Sequence, residues 1–484
     1  MRINPRILSA VLAVIALAFG LTACNSPNNS LAATDTAVIA AITAPPTATA
    51  TAVPTPISPP IPSPEAPLIF GSYEELSPAA MRADLDELFH RLETTHPNLY
   101  AQLSPVEAAA SRQRLADELS QPMSILSFYE KVAELVSAFG DYHLDVGLPP
   151  ETEAVLAANE LVFPLWVEFQ DGQAFVTMNP AEVPGVPVGT ELLTINGTAV
   201  ADIQTRLPHL SANGTSFAPG LWFLFGSVAE YQVEVKLPGT ETAVPLTIPG
   251  LPAQELAAAS ADGAPSAPVD YTTLPGENIG LLTVANFSDN LAAGLKAAFT
   301  QIQADGVENL IIDVRANPGG TGTQVDALMR YLTDRPYRHC AYSYTAPPPG
   351  LAATPTPVDC EERRPFTTRL LFRGHVYLLI GPDSYSNAAN FAAILQDYGL
   401  AELVGAESPT LASCGSVYSP AVLPRTGLLL VCPTVCFVRP SGVQSDRGVI
   451  PDHLVATTLS DRFAGRDPAL DYTLDLIRRA DTSP

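Results

Sequence analysis

An α/β fold with parallel strands is expected for the C-terminal part of this 484-residue chain, behind a helical domain and a small β-rich module. Three observations carry that expectation. From Ile279 onward, apolar runs of strand length alternate with segments of helical period. Two of those runs, Asn309-Leu-Ile-Ile-Asp-Val-Arg-Ala-Asn-Pro-Gly-Gly320 and Gly374-His-Val-Tyr-Leu-Leu-Ile-Gly-Pro-Asp-Ser-Tyr-Ser-Asn-Ala-Ala-Asn390, pass straight into tight turns and then into helix-like segments. Upstream, residues 69–150 repeat apolar residues at helical spacing, whereas 151–256 alternate apolar and polar residues between glycine and proline turns.

The N-terminus reads as an export signal. Arg2 and Arg6 precede an apolar run from Ile7 to Leu21, short for a membrane span. The run ends in Leu21-Thr-Ala-Cys24, which resembles a bacterial lipoprotein cleavage box. Residues 1–24 are therefore expected to be a lipoprotein signal peptide with Cys24 lipidated; an ordinary signal with an incidental cysteine is the alternative. Residues 25–68, rich in Thr, Pro and Ala, hold too few large apolar side chains to bury a core and are expected to be a disordered stalk.

In the helical domain, Ser77-Pro78 supplies an N-cap and first-turn proline for a helix whose Met81, Leu85, Leu88, Phe89 and Leu92 share a face. Ser104-Pro-Val-Glu107 is a capping box for a second helix. Ser124 caps a third, with Phe128, Val132, Leu135, Val136 and Phe139 on its apolar face and Gly140 as its stop. After the β-rich module, residues 257–270 read as an Ala/Ser/Pro-rich linker, and 271–484 as the core. There Leu291, Leu295, Phe299 and Ile302 mark a helix, and Leu310–Val314 and Val376–Ile380 mark buried strands.

Charge narrows the partners. Lys+Arg total 25 against 50 Asp+Glu, a formal charge of −25 that argues against nucleic acid or an anionic membrane surface. The only lysines are Lys131, Lys236 and Lys296. Cys340 and Cys360 bracket a Pro-rich insertion and are the first disulfide candidates; Cys414 with Cys432 or Cys436 is the next. No cysteine and histidine set completes a metal site, and no metal or cofactor is expected.

The two turns suggest chemistry. In Pro318-Gly319-Gly320 the glycines let backbone N–H groups face a cavity without Cβ obstruction. Ser386 stands at the mouth of the second helix, so a nucleophile and oxyanion donors are placed together, as acyl transfer requires. Helix N-capping is the competing job for Ser386, and Ser384 is its neighbouring rival.

From Ile279 to about Val455 the chain resembles the C-terminal processing peptidases, or tail-specific proteases, nearer their tricorn-core and retinol-binding-like branch. The strand Ile279–Phe287, Asp313 to Gly320, the Ser386 strand and Gly448-Val-Ile-Pro-Asp452 carry the likeness in the family's order. The resemblance implies a crotonase/ClpP-like core. It also implies a PDZ-like module around Leu192-Leu-Thr-Ile-Asn-Gly-Thr-Ala-Val200, and a serine endopeptidase acting on polypeptides through an acyl-enzyme. Ser386 is the implied nucleophile, in Ser386-Asn-Ala-Ala-Asn390, where Asn390 replaces the family's glutamate. Relatives with a Ser-Lys dyad place lysine some two dozen residues later, but no lysine follows Lys296. Gly140-Asp-Tyr-His143 resembles the Gly-Asp-Gly-His motif of the tricorn-like branch, which makes His143 the implied general base, with a structural histidine as the alternative. His453 is the runner-up, His375 reads as structural, and His90, His96, His209 and His339 lack motif support. Asp446 is the implied orienting acid and Asp141 its alternative. The oxyanion donors are expected from Gly319 or Gly320 with Asn387, while Asn317 and Arg315 hold the turn. These readings describe an enzyme lipid-anchored at the outer face of the cell envelope. A non-catalytic lipoprotein binding an apolar ligand or a peptide on the same fold is the rival.

Overall fold

The computed structural model describes residues 75–482 except 151, 153–160, 207–215, 218–227, 262–266, 275–276, 288–290, 347–356, 367, 410–417 and 446. The expected signal peptide with Cys24, the stalk at 25–68, His209, Cys414 and Asp446 lie outside the described residues. No helix among the described residues is long and apolar enough to cross a membrane.

A six-stranded sheet organises the C-terminal part, in the order Val269–Thr273, Ile279–Val284, Asn309–Asp313, His375–Ile380, Glu402–Gly405 and His453–Leu454. The first pair is antiparallel and every other pair parallel. Side-chain alternation sends Leu282, Leu310, Ile312, Leu378 and Ile380 to one face, against the helices Leu291–Asp305, Gly322–Met329 and Asn387–Asp397. The other face carries Ile279, Ile311, Tyr377, Leu379 and Val404 against Ala469 and Ile477 of the helix Pro468–Thr482. Burial on both faces is why these strands read as unbroken apolar runs.

Register positions the site. Asn309 pairs with His375 and Asp313 with Leu379, so both strands finish at the same edge of the sheet. The turns that follow them are neighbours for that reason, and polar groups knit them together. The Ser384 hydroxyl donates to Val314 O at 2.9 Å and accepts from Gly381 N–H at 3.0 Å. Arg315 grips Asp313 and reaches Asp467 of the C-terminal segment at 2.7 Å.

Ahead of this core, three helices run over Pro78–Thr95, Pro105–Glu118 and Ile125–Ser137, each capped by the serine before it. Next comes a seven-stranded sheet, its main path Ala243–Pro249, Glu230–Lys236, Glu191–Ile195, Gln173–Met178, Trp166–Gln170 and Ser216–Phe217, all antiparallel. Asn196 and Gly197, both at positive φ, form the tight turn to the short strand Thr198–Ala199. The segment expected as a linker is shorter than its composition suggested. Ala253–Ala261 is a helix and Val269 already lies in the core sheet, because alanine is the strongest helix former even where Ser and Pro follow.

The helical domain and the core are sewn together by distant segments. Asp145–Gly147, just after the third helix, pairs with Leu429–Pro433, which also pairs with Tyr418–Val422. Leu423, Leu428, Leu430 and Cys432 of that hairpin are buried in one cluster with Leu85, Phe89, Phe128 and Phe139. At its tip the Asp84 carboxylate, fully buried, accepts from Arg425 N–H, Thr426 N–H at 2.6 Å and Thr426 Oγ1–H at 2.7 Å. Asp84→Ala strands those buried donors and is expected to lower stability by about 3 kcal/mol. Urea unfolding followed by circular dichroism measures it; an unchanged midpoint removes the carboxylate from the account of this junction.

Cys340 and Cys360 are joined by a disulfide with Cα atoms 5.7 Å apart, closing the base of the insertion. Cys436 is also disulfide-bonded, and Cys432 is a buried free thiol.

Candidate active site

Ser386 sits where the strand His375–Ile380 turns into the helix Asn387–Asp397, with φ 53° and ψ −118°. A side chain rarely adopts such a backbone, which costs on the order of 1–3 kcal/mol. Capping does not account for it, since Ser386 makes no side-chain cap hydrogen bond to its helix. The strain falls at a sharp strand-to-helix turn at the sheet edge, the kind of turn on which a nucleophile is commonly carried.

The glycine turn presses against this serine. A Cβ on Gly319 would lie 2.8 Å from Ser386 Cβ and 3.0 Å from Asn387 N; one on Gly320 would lie 1.9 Å from Phe287 O. Only hydrogen fits at either position. Asn317, fully buried, ties the turn down by donating to Val284 O at 2.9 Å and accepting from Gly319 N–H at 2.8 Å. The Gly319 N–H is thus engaged by Asn317 Oδ1. The Asn387 N–H is the first of its helix and has no intrahelical acceptor. The Asn387 amide donates to Gly320 O at 2.6 Å, bracing the glycine turn against the helix start.

His143 reaches this place from the other end of the fold. Its ring lies 4.8 Å, centroid to centroid, from that of Tyr385, the residue before Ser386. The Tyr385 hydroxyl donates to Tyr142 O at 2.6 Å, clamping the histidine loop to the serine turn. The Tyr418 ring, from the hairpin that pairs with the histidine strand, lies 5.9 Å away on the same imidazole. His143 is buried, and its Nε2 has no hydrogen-bond partner among the described residues. An unsatisfied buried ring nitrogen costs roughly 1–3 kcal/mol and calls for an explanation. Burial disfavours the imidazolium and lowers the His143 pKa, the nearby Asp141 carboxylate opposing that shift. Asp145, two residues on, is pushed up to about 6 by desolvation.

The remaining histidines lie elsewhere. His453 bonds Glu402 at 3.1 Å and Tyr472 at 3.1 Å on the far face of the core, and His375 opens its strand at the end opposite Ser386. His339 pairs with Asp326 at 2.7 Å, and His90 is exposed. Lys131 bonds Glu118, Lys236 bonds Glu191 and Lys296 is exposed on its helix. His96, which lacked motif support, instead meets Asp141 at 3.0 Å beside His143. Tyr385 and Tyr418 were also passed over, because ring packing between distant segments leaves no local signature.

Residues 278–455 match the family model described as peptidase family S41. That segment belongs to peptidase family S41. The S41 segment holds the glycine turn, Ser386 and the Gly448–Asp452 block, while His143 lies upstream of it. Among curated proteins, this chain is 24% identical over 179 residues to the carboxy-terminal processing protease CtpB of Bacillus subtilis, covering 35% of this chain and 33% of that protein. It is 28% identical over 169 residues to the chloroplastic C-terminal processing peptidase of Tetradesmus obliquus, covering 32% of each. The match thus spans about a third of the length of these relatives. Among solved structures, mature CPAF superposes with a TM-score of 0.61 at 17% identity, covering 84% of this chain and 99% of that one. The mixed helix and sheet fold around the S41 segment is therefore shared well beyond it.

Proposed function

We propose that this protein is an extracytoplasmic serine endopeptidase that cleaves polypeptides through an acyl-enzyme, with Ser386 as nucleophile and His143 as general base. One observation carries the reading. Ser386 holds a strained backbone without capping its helix, against a glycine turn and a ring-packed histidine whose Nε2 is buried and unbonded. In the reaction, His143 Nε2 takes the Ser386 proton as Oγ attacks the peptide carbonyl, then returns it to the leaving amine. The N–H groups of Asn387 and of the glycine turn, Gly319 or Gly320, stabilise the oxyanion, a correctly aimed donor contributing about 3 kcal/mol. A serine–lysine dyad does not suit this chain, because no lysine follows Lys296. The relatives' names suggest action at polypeptide C-termini, and the Leu21-Thr-Ala-Cys24 box suggests a lipid anchor through Cys24. The antiparallel module over residues 151–256 serves in this reading as a PDZ-like peptide holder beside a crotonase/ClpP-like core.

Burial sets the expected pH profile. The neutral imidazole is the active form, and desolvation favours it, so kcat/KM should rise with pH and level off. Its midpoint should fall below the ordinary histidine value of about 6.5. Cleavage of an unstructured protein substrate by the full-length chain, followed across pH, tests this. Activity that keeps climbing into the lysine range would contradict the assignment of the base.

A further inference from the structure

The chain of contacts behind His143 holds a residue that the motifs passed over. We propose that Asp141 is the carboxylate that orients His143, and that His96 is the positioning residue that fixes Asp141. This inference rests on the Ser386–His143 reading above and deepens it. His96 ends the helix Pro78–Thr95 as its C-cap, its own N–H donating to Leu92 O at 3.0 Å, so its ring stands on a fixed base. The ring's Nδ1 accepts from Asn98 N–H at 3.1 Å, which leaves the proton on Nε2. Nε2–H then donates to Asp141 Oδ2, 3.0 Å away. The other carboxylate oxygen, Oδ1, accepts from the His143 backbone N–H at 2.8 Å and lies 3.7 Å from His143 Nδ1.

All three side chains are nearly sealed from solvent, at 2% exposure for each histidine and 8% for the aspartate. Sealing matters, because an imidazolium formed here has no water to stabilise it. A fixed carboxylate on the Nδ1 side is what permits Nε2 to accept a proton. Desolvation works to neutralise Asp141, yet its hydrogen bond from His96 and the charges of the two histidines outweigh that and hold its pKa below the usual carboxylate range. The other titratable groups facing this cluster are Asp145 on the histidine strand, Tyr385 on the serine turn, and Tyr418 and Cys432 on the hairpin. None of these places a carboxylate on the His143 ring as Asp141 does. A histidine buried only to fill space would not need the tautomer that Asn98 imposes.

The test is the rate at which a fluorophosphonate probe labels Ser386 in the full-length protein, measured across pH. Asp141→Asn should slow labelling about 10³- to 10⁴-fold, the scale of losing a triad carboxylate. It should also move the midpoint to lower pH, because the charge that favours imidazolium is gone. His96→Ala should slow labelling roughly tenfold to a hundredfold, as loss of an outer hydrogen-bond partner does at other sites. It should also add a second ionisation to the acid limb, because Asp141 then protonates more easily. His96→Gln, which keeps a side-chain N–H donor, should recover most of the rate. A merely structural His96 would change stability and leave the profile's shape alone. Normal labelling of the wild type with an unaltered profile in His96→Ala and Asp141→Asn overturns this inference by itself. Should His96→Ala fail to fold, Asp141→Asn and His96→Gln still decide the matter. Absent labelling of the wild type overturns the serine peptidase reading, and this inference with it.

Discussion

Ser386→Ala is expected to abolish cleavage of an unstructured protein substrate, with a loss on the order of 10⁶-fold in kcat if the site behaves as other serine triads do. Ser386→Gly should be equally inactive but should differ in stability. Glycine adopts a positive φ freely, so relief of the strained turn should raise stability by about 1 kcal/mol over the serine protein. Alanine keeps the strain and gains nothing. Thermal unfolding of the three proteins, beside a cleavage assay, separates the readings. In the rival reading, a binding protein on the same fold, both variants would keep their ligand and the wild type would cleave nothing. Cleavage persisting in Ser386→Ala would sink the assignment of the nucleophile.

Gly320→Ala should be severely damaging. Its Cβ would sit 1.9 Å from Phe287 O, an overlap with backbone that cannot be relieved by turning a side chain. Phe287 and Gly320 form a bridge between the end of one strand and the glycine turn, so the backbone would have to part there. A destabilisation on the order of 3 kcal/mol or more is expected, together with loss of activity. Gly306→Ala is the matched control: φ is also positive, at 66°, but nothing lies within 4 Å of the added carbon. It should cost only about 1–2 kcal/mol, the strain of a left-handed residue. Equal losses in the two variants would mean that crowding at the Ser386 turn is not what keeps residue 320 a glycine.

Local physics made most of the elements readable. The caps at Ser77, Ser104 and Ser124, the unbroken apolar strands at Leu310 and Val376, and the Asn196-Gly197 turn each depend on a few consecutive residues. Ser386 and the glycine turn were legible for the same reason: each lies at the end of a recognisable strand. What the sequence could not display is anything that joins distant segments. The pairing of Asp145–Gly147 with Leu429–Pro433 leaves no mark in either segment alone. His96, some 45 residues from Asp141, looked idle because its partner comes to it only through the fold. The linker differs in the other direction, since Ser and Pro stand beside the helical alanines of Ala253–Ala261 and lend the segment a linker's composition.

The hairpin that covers the histidine loop is translated late. Three helices and the seven-stranded sheet emerge long before Leu429–Pro433 exists to pair with the strand after His143. The helical domain shares its buried cluster with that hairpin, so neither the domain's packing nor the proposed Ser386–His143 arrangement can be completed until the hairpin has been made. In the reading proposed above, a growing polypeptide is thus inactive until its last third has been made. A premature stop anywhere upstream of Leu429 should yield a partly folded but inert product.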